Sequence, residues 1–345
     1  MGAQIGIDIN KAAELLSGGK LVAIPTETVY GLAANGLDST AVAGIFAAKN
    51  RPTFDPLILH VGSIEQAKTL CSQWPAAAER LANAFWPGPL TLVLPKAHHV
   101  PELVTADNPT VAIRMPNNPL SLSLIRSLPF PLAAPSANPF GYVSPTCAQH
   151  VADQLGDRLD YILDGGDCAI GIESTIVSVS NDNQVTILRL GGLDIDSLSE
   201  VLGYPVSESL SMHSNPQAPG QLDQHYSPNS SMVHIADFSI DAILEDLHAH
   251  PHDSRGFLWF SQQQAQGFIE QFDEKTQGSL TDSAWKHYHL SINHNDREAA
   301  MNLFGTLRQF DKDGCKRIYF SWAPENGLGR AINDRLKRAS SKVIH

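Results

Sequence analysis

The sequence predicts an α/β protein: a twisted open sheet of mixed strand direction covered by helices, followed by a smaller α/β unit. Three observations lead there. Residues 1–200 alternate helically spaced segments with short apolar runs, in an order too irregular for a strict βαβ repeat. The pattern breaks over residues 203–231, which are rich in Ser, Pro, Asn and Gln and offer little to bury. Alternation then resumes to the end of the 345-residue chain, long enough for two domains. The expected boundaries are 1–202, a linker at 203–231, and 232–345.

The elements follow in order. Ile9, Ala12, Ala13, Leu15 and Leu16 have helical spacing, and residues 21–24 form a short apolar run ended by Pro25, a buried strand. Asp38 caps a helix holding Val42, Ile45 and Phe46. Residues 57–61, 90–94, 111–115 and 131–134 read as strands, with helices near 64–70 and 76–84. Ser144 is placed to cap a helix over 146–155. Apolar runs at 176–179 and 185–190 flank Asn181, Asp182 and Asn183, a hairpin signal. Beyond the linker come strands near 232–235, 256–260, 288–290 and 317–322, and helices at 240–247 and 328–339. Asn295 and Glu298 form a capping box for a further helix, whose Leu303, Phe304, Leu307 and Phe310 share one side. Gln262–Gln264 is the one low-complexity tract.

Composition excludes several classes. Hydrophobic residues make up 43% and charged residues 17%, which supports folded cores. A net charge of −12 argues against a general polyanion binder, so any RNA contact needs a local patch. Lys312, Lys316, Arg317, Arg330, Arg335, Lys337, Arg338 and Lys342 supply one candidate patch; a solvated helix face is the plainer reading. No apolar run approaches the ~20 residues of a membrane span, and residues 1–10 do not resemble a signal peptide. A cytoplasmic protein without membrane partners is expected. Cys71, Cys147, Cys168 and Cys315 are scattered without a C-x-x-C pair, which excludes a Cys-based zinc site and disfavours a disulfide framework. His98 and His99, and His248, His250 and His252, lack acidic or Cys companions in register, so no protein-bound metal is expected.

There is no P-loop, no dinucleotide fingerprint, no G-x-S-x-G and no H-E-x-x-H. Residues 25–32, Pro-Thr-Glu-Thr-Val-Tyr-Gly-Leu, follow a buried strand and read equally as a ligand crevice holding Thr28 or as a polar turn closed by glycine. Lys49 and Arg51 flank a helix end with Pro52 behind them, a pair suited to gripping a polyphosphate; favourable charge at a helix C-terminus accounts for Lys49 as well, and for Arg51 less well. His60 sits in an apolar strand, where a satisfied core histidine is the commoner case. Arg114, also in an apolar strand, needs a carboxylate or phosphate partner, structural or from a substrate. Ser136, Ser144, Ser174 and Arg189 repeat a theme of hydroxyls and cations at strand ends. His225 and Tyr226 are aromatic in an otherwise polar linker, as a segment stacking on a base would be.

Taken together, PTETVYGL, AKNRP, PLILHV, WPGPLTLVL, VAIRMP, APSAN, SPT and ESTIVSV, with PGQLDQHYSP in the linker and GLGRAINDRLKRAS near the end, resemble the threonylcarbamoyl-AMP synthase family, the two-domain form of the YrdC-like proteins. The resemblance implies a YrdC-like open sheet with a positively lined cavity and a small Rossmann-like C-terminal domain. It implies a nucleotidyltransferase that turns L-threonine, bicarbonate and ATP, with Mg²⁺, into threonylcarbamoyl-AMP and pyrophosphate. The product serves the threonylcarbamoyladenosine modification of tRNA beside the anticodon, and tRNA or other tRNA-modification proteins are the partners it suggests. By motif position, Thr28, His60, Arg114, Ala134 and Ser174 would hold threonine. Arg51, Asp55, Thr110, Ser136, Ser144, Arg189 and Tyr226 would hold ATP, and Lys49 with Arg51 would act in catalysis at the phosphates. Ala134 could contribute only backbone groups. Asp55 stands where the family commonly has Asn; an anion there is unfavourable beside phosphate, so its role is lost, turned to a ribose hydroxyl, or mediated by Mg²⁺. Two other classes remain: an inactive RNA-binding module, and a phosphate-sugar enzyme whose turnover ignores threonine.

Overall fold

The computed structural model describes residues 2–210, 218–219, 226–234, 240–250, 253–276 and 285–340. The linker at 211–217 and 220–225, Gln221, Asp223 and His225 with it, lies outside the described residues, as do Ile235, His252 and Lys342. The chain divides into two compact units, residues 1–140 with 144–223, and residues 141–143 with 224–345.

The first unit carries β1 (Gln4–Gly6), β2 (Val22–Ile24), β3 (Gly31–Asn35), β4 (Ile58–His60), β5 (Leu90–Pro95), β6 (Thr110–Arg114), β7 (Leu132–Ala133), β8 (Tyr161–Leu163), β9 (Thr175–Val179), β10 (Val185–Arg189) and β11 (Ser207–Glu208). They form one sheet in the order β1-β8-β2-β3-β7-β4-β6-β5-β9-β10-β11. Direction is mixed as expected: β4 runs parallel to β6 and β5 to β9, while β5 is antiparallel to β6 and β9 to β10. The expected hairpin is the β9–β10 pair.

Helix Ile9–Ser17 and helix Pro119–Ser127 bury Ala12, Leu16, Leu124 and Ile125 against Val22, Ile24, Ala33, Leu132 and Leu163, which makes one core of the sheet. The second helix escaped the sequence reading, although Asn118 before Pro119 is a start signal; its side chain accepts from Leu120 N and Ser121 N. Gly31 and Leu32 open strand β3 rather than a turn. Ser144 does not cap the helix Ala148–Leu155. Cys147 occupies that position without a side-chain bond, and the Ser144 hydroxyl donates to Glu173 instead. The start of the expected linker is ordered, since Ser207–Glu208 adds an edge strand along β10.

The second unit carries β12 (Ser231–His234), β13 (Arg255–Ser261), β14 (Lys286–Ser291) and β15 (Arg317–Phe320), all parallel, in the order β12-β15-β13-β14. Parallel pairing requires crossovers, supplied by helices Ile240–Ala249, Gln262–Thr276 and Asp296–Lys312; Gly329–Ala339 follows β15. Gln262–Gln264 thus starts a helix. Leu303, Phe304, Leu307 and Phe310 are buried as their spacing required. The capping box is half formed. Asn295 accepts from Arg297 N and Glu298 N, but Glu298 turns to the Ser291 hydroxyl, which itself accepts from Asn295 N.

The basic C-terminal residues divide: Lys312, Lys316 and Lys337 are exposed, as a solvated face requires, whereas three of the arginines are paired with carboxylates. Arg335 and Arg338 are buried and pair with Asp334 at 3.1 and 3.0 Å. Arg317 pairs with Asp246 at 2.9 Å. Asp334 is one and four residues from its arginines on the same helix, whereas Asp246 reaches Arg317 from a distant helix that spacing cannot reveal.

Candidate functional site

One face of the central sheet organises the site. Ile58 lies opposite Ala112, and His60 opposite Arg114, on the parallel strands β4 and β6. Side chains two residues apart share a face, so Thr110, Ala112 and Arg114 line one side of β6. Ile58, Val93, Ala112, Ile176, Leu188 and Ala218 form its apolar floor. Thr110 and Arg114 stand at opposite ends of that strand, about 13 Å apart at the usual rise per residue.

Arg114 forms one corner. Its Nη2 lies 2.7 Å from Glu27 Oε1, its Nη1 donates to Thr28 Oγ1 at 2.9 Å, and its Nε donates to Gly88 O at 3.2 Å. The buried arginine therefore has a structural carboxylate partner. Glu27 is held in turn, accepting from Asn117 N at 2.9 Å. Residues 25–32 form a polar turn at 26–29 that the strand β3 follows directly. Thr26 closes a turn by donating to Val29 O, and the Thr28 hydroxyl lies 2.8 Å from Thr26 Oγ1 while accepting from Arg114. His60, at the end of β4, is pushed down to about 3 by burial and then by the Arg114 charge, against the weaker pull of the Ile58 and Leu132 carbonyls. It is neutral at pH 7 and a poor general base.

The second corner follows from the helix Ser39–Lys49. Asp38 starts it, accepting from Thr40 N and Ala41 N as predicted, and Asn50 ends it in the left-handed region at φ 51°. That turn buries Lys49, whose ammonium donates to the carbonyls of Ser136 and Asn138. Burial and the Arg51 charge hold Lys49 well below the usual ammonium range, with Asp55 opposing them. Arg51 donates to Asp55 O and Pro56 O, and its Nη2 lies 2.9 Å from Asp55 Oδ2. Burial raises the Asp55 carboxyl, and Arg51, Lys49 and Arg189 pull it back in that order.

Arg189 supplies the third corner. A register shift between Ile187 and Arg189 sets Arg189 opposite Ile176, on the floor's side of the sheet, as bulges commonly re-aim a side chain. It donates to Ser174 O at 2.9 Å, Ser174 Oγ at 3.1 Å and Pro219 O at 3.1 Å. Ser174 also meets Thr91 Oγ1 at 2.8 Å, and Glu173 accepts from Ser144 at 2.6 Å. Gly191 permits this approach, because a Cβ there would lie 2.3 Å from the Ser174 carbonyl carbon.

The structure thus joins Thr28, His60 and Arg114; Lys49, Arg51, Asp55 and Ser136; and Ser144, Ser174 and Arg189. Ala134 donates its N–H to Ile58 O, so a ligand would meet its carbonyl. Tyr226 belongs to the second unit, where its ring stacks on Phe304 at 5.6 Å with the Arg335 guanidinium 5.4 Å away. The sequence reading assigned nothing to Glu27, Thr91, Asn138 or Glu173. Glu27 was the most findable, since Arg114 required a carboxylate and Glu27 adjoins Thr28. Among the described residues no cluster of three or more His, Cys, Asp or Glu side chains could hold a metal ion, and no helix is long and apolar enough to cross a membrane.

A family profile described as "Telomere recombination", covering the Sua5, YciO and YrdC proteins, matches residues 14–191. One described as "Threonylcarbamoyl-AMP synthase, C-terminal domain" matches residues 193–341. The chain is 39% identical to the threonylcarbamoyl-AMP synthase of Pyrococcus abyssi over 97% of its own length and 95% of that protein's. It is 38% identical to that of Bacillus subtilis over 97% and 94%. The crystal structure of P. abyssi Sua5 complexed with L-threonine superimposes with a TM-score of 0.85 at 36% identity, covering 99% of this chain and 98% of that one.

Proposed function

Because the chain belongs to the threonylcarbamoyl-AMP synthase family, we propose that its first unit condenses L-threonine, bicarbonate and ATP into threonylcarbamoyl-AMP and pyrophosphate, for the threonylcarbamoyladenosine modification of tRNA. The observation that supports the residue assignment is Asp55 under the charges of Arg51, Lys49 and Arg189, with Arg114 and Arg189 on strands of the same sheet. The P. abyssi relative whose structure holds L-threonine supports the amino-acid end.

Arg114 anchors the threonine carboxylate, with Thr28 beside it and Ser174 and the Ala134 carbonyl completing that end. Glu27 neutralises Arg114 and sets its orientation. His60 is neutral and contributes a hydrogen bond rather than a charge. Arg51, Arg189 and Lys49 face the nucleotide with Thr110, Ser136 and Ser144, and phosphates entering beside Lys49 restore the ammonium that burial opposes. Tyr226 carries its nucleotide role by motif alone. The threonine amine adds to CO₂ derived from bicarbonate; the carbamate oxygen then attacks the α-phosphorus and pyrophosphate departs. No covalent enzyme intermediate is needed, so catalysis is alignment plus neutralisation of developing charge. Mg²⁺ bound with the nucleotide would supply positive charge at the phosphates. The donor that would hold it is Asp55, a buried carboxylate whose two oxygens accept no hydrogen bond among the described residues.

Pyrophosphate release measured with threonine or bicarbonate omitted tests the reading: it should require both. Arg51→Ala should lower it by orders of magnitude at unchanged secondary structure. Turnover independent of threonine would mean a different phosphate enzyme. Salt-sensitive tRNA binding without turnover would mean an RNA-binding module.

A further inference from the structure

We infer that Asp55 makes nucleotide binding in this chain depend on a divalent cation, with its carboxylate as the one protein ligand and the nucleotide phosphates supplying the rest. The inference rests on the function proposed above and deepens it at one residue. Asp55 is fully buried, and among the described residues neither Oδ1 nor Oδ2 accepts a hydrogen bond. Its nearest counter-charge is Arg51, 2.9 Å away, with Lys49 and Arg189 acting on it more weakly, and all three are assigned to the nucleotide. When these cations are drawn to phosphate, Asp55 shares its counter-charges with a polyanion. A buried carboxylate in that position must be protonated or bridged by a cation. Magnesium fits the bridge, because it prefers hard oxygen donors and is usually bound by one or two carboxylates together with substrate phosphates. The described residues hold no acidic cluster that would bind the ion without the nucleotide. An asparagine at this position brings no charge to be neutralised, and its amide can donate to a phosphate directly.

ATP binding to the full-length protein, titrated calorimetrically with Mg²⁺ and again with EDTA, tests the inference. Wild type should lose affinity about tenfold or more when the metal is removed, whereas Asp55→Asn should lose less than about threefold. Asp55→Glu, which keeps the charge, should retain the dependence, and the EPR spectrum of Mn²⁺ bound with ATP should differ between Asp55→Glu and wild type. Equal metal dependence in wild type and Asp55→Asn would overturn the inference. Tight metal-free ATP binding by wild type would overturn it too, because the carboxyl would then bind as the neutral acid. A wild-type protein that binds no ATP under either condition would remove the function on which it rests.

Discussion

Replacing Glu27 with alanine leaves the Arg114 guanidinium buried without its counter-charge. The pair is 2.7 Å apart, with the two side chains 4% and 7% exposed, so little water can replace the lost carboxylate. Removing one partner of such a pair costs about 3–5 kcal/mol. Asn117 N also loses its acceptor, and a hydrogen bond to a charged group contributes about 1.5–3 kcal/mol. The two losses overlap, and Gly88 O and Thr28 Oγ1 keep part of the guanidinium satisfied. The net expectation is about 3 kcal/mol for Glu27→Ala and about 2 kcal/mol for Glu27→Gln, which keeps an acceptor for Asn117. The full chain has two units, so a single unfolding midpoint would mix them. Hydrogen exchange by mass spectrometry along a urea series separates them, with peptides over residues 110–117 reporting the site. The same variants should raise the KM for threonine by about tenfold or more, because the anchor of its carboxylate is no longer oriented. A stability loss below about 1 kcal/mol together with an unchanged threonine KM would show that Glu27 neither neutralises nor positions Arg114.

Two further outcomes test other parts of the site. Gly191→Ala forces a Cβ to within 2.3–2.4 Å of backbone atoms of Glu173, Ser174 and Thr175, so β9 and β10 must part. It should destabilise the first unit by about 2–3 kcal/mol and impair threonine and ATP binding together, as calorimetry would show; selective loss of one substrate would contradict the shared placement of Ser174 and Arg189. His60 is depressed in the folded protein to about 3 from an ordinary 6.5, so the unfolded chain binds the extra proton between those values. Its contribution to stability is present above pH 6.5 and is lost as pH falls toward about 3. His60→Asn should flatten acid unfolding within that window, measured by urea midpoints from pH 7 to pH 4, and an unchanged slope would place the imidazole in solvent.

Local signals in this chain were legible where neighbouring residues satisfy one another. Asp38 caps a helix because its carboxylate reaches Thr40 N and Ala41 N, two and three residues on. The β9–β10 hairpin and the buried side of helix Asp296–Lys312 depend on spacing alone, and the motifs from PTETVYGL to ESTIVSV, taken in order, carried the family and with it the candidate site. Strands of two or three residues such as β1, β7, β8 and β11 have no period to detect; the sheet recruits them by backbone pairing with partners far along the chain. The same nonlocality explains Arg317, whose partner Asp246 lies far back in the chain, whereas Asp334 meets Arg335 and Arg338 within one helix and was within reach of the sequence.

The amino-acid sequence by itself determined which chemical groups this protein has available: three arginines, a lysine, hydroxyls at strand ends, and an aspartate in an unusual place. Only the tertiary structure decided how they are paired. Arg114 takes Glu27 from 87 residues away in the chain, Arg189 reaches the floor's side of the sheet through a register shift, and Asp55 lies under three cations drawn from two separate segments. Charge interactions fall off with distance through space rather than along the chain, so the partner of a buried charge is settled when the sheet closes.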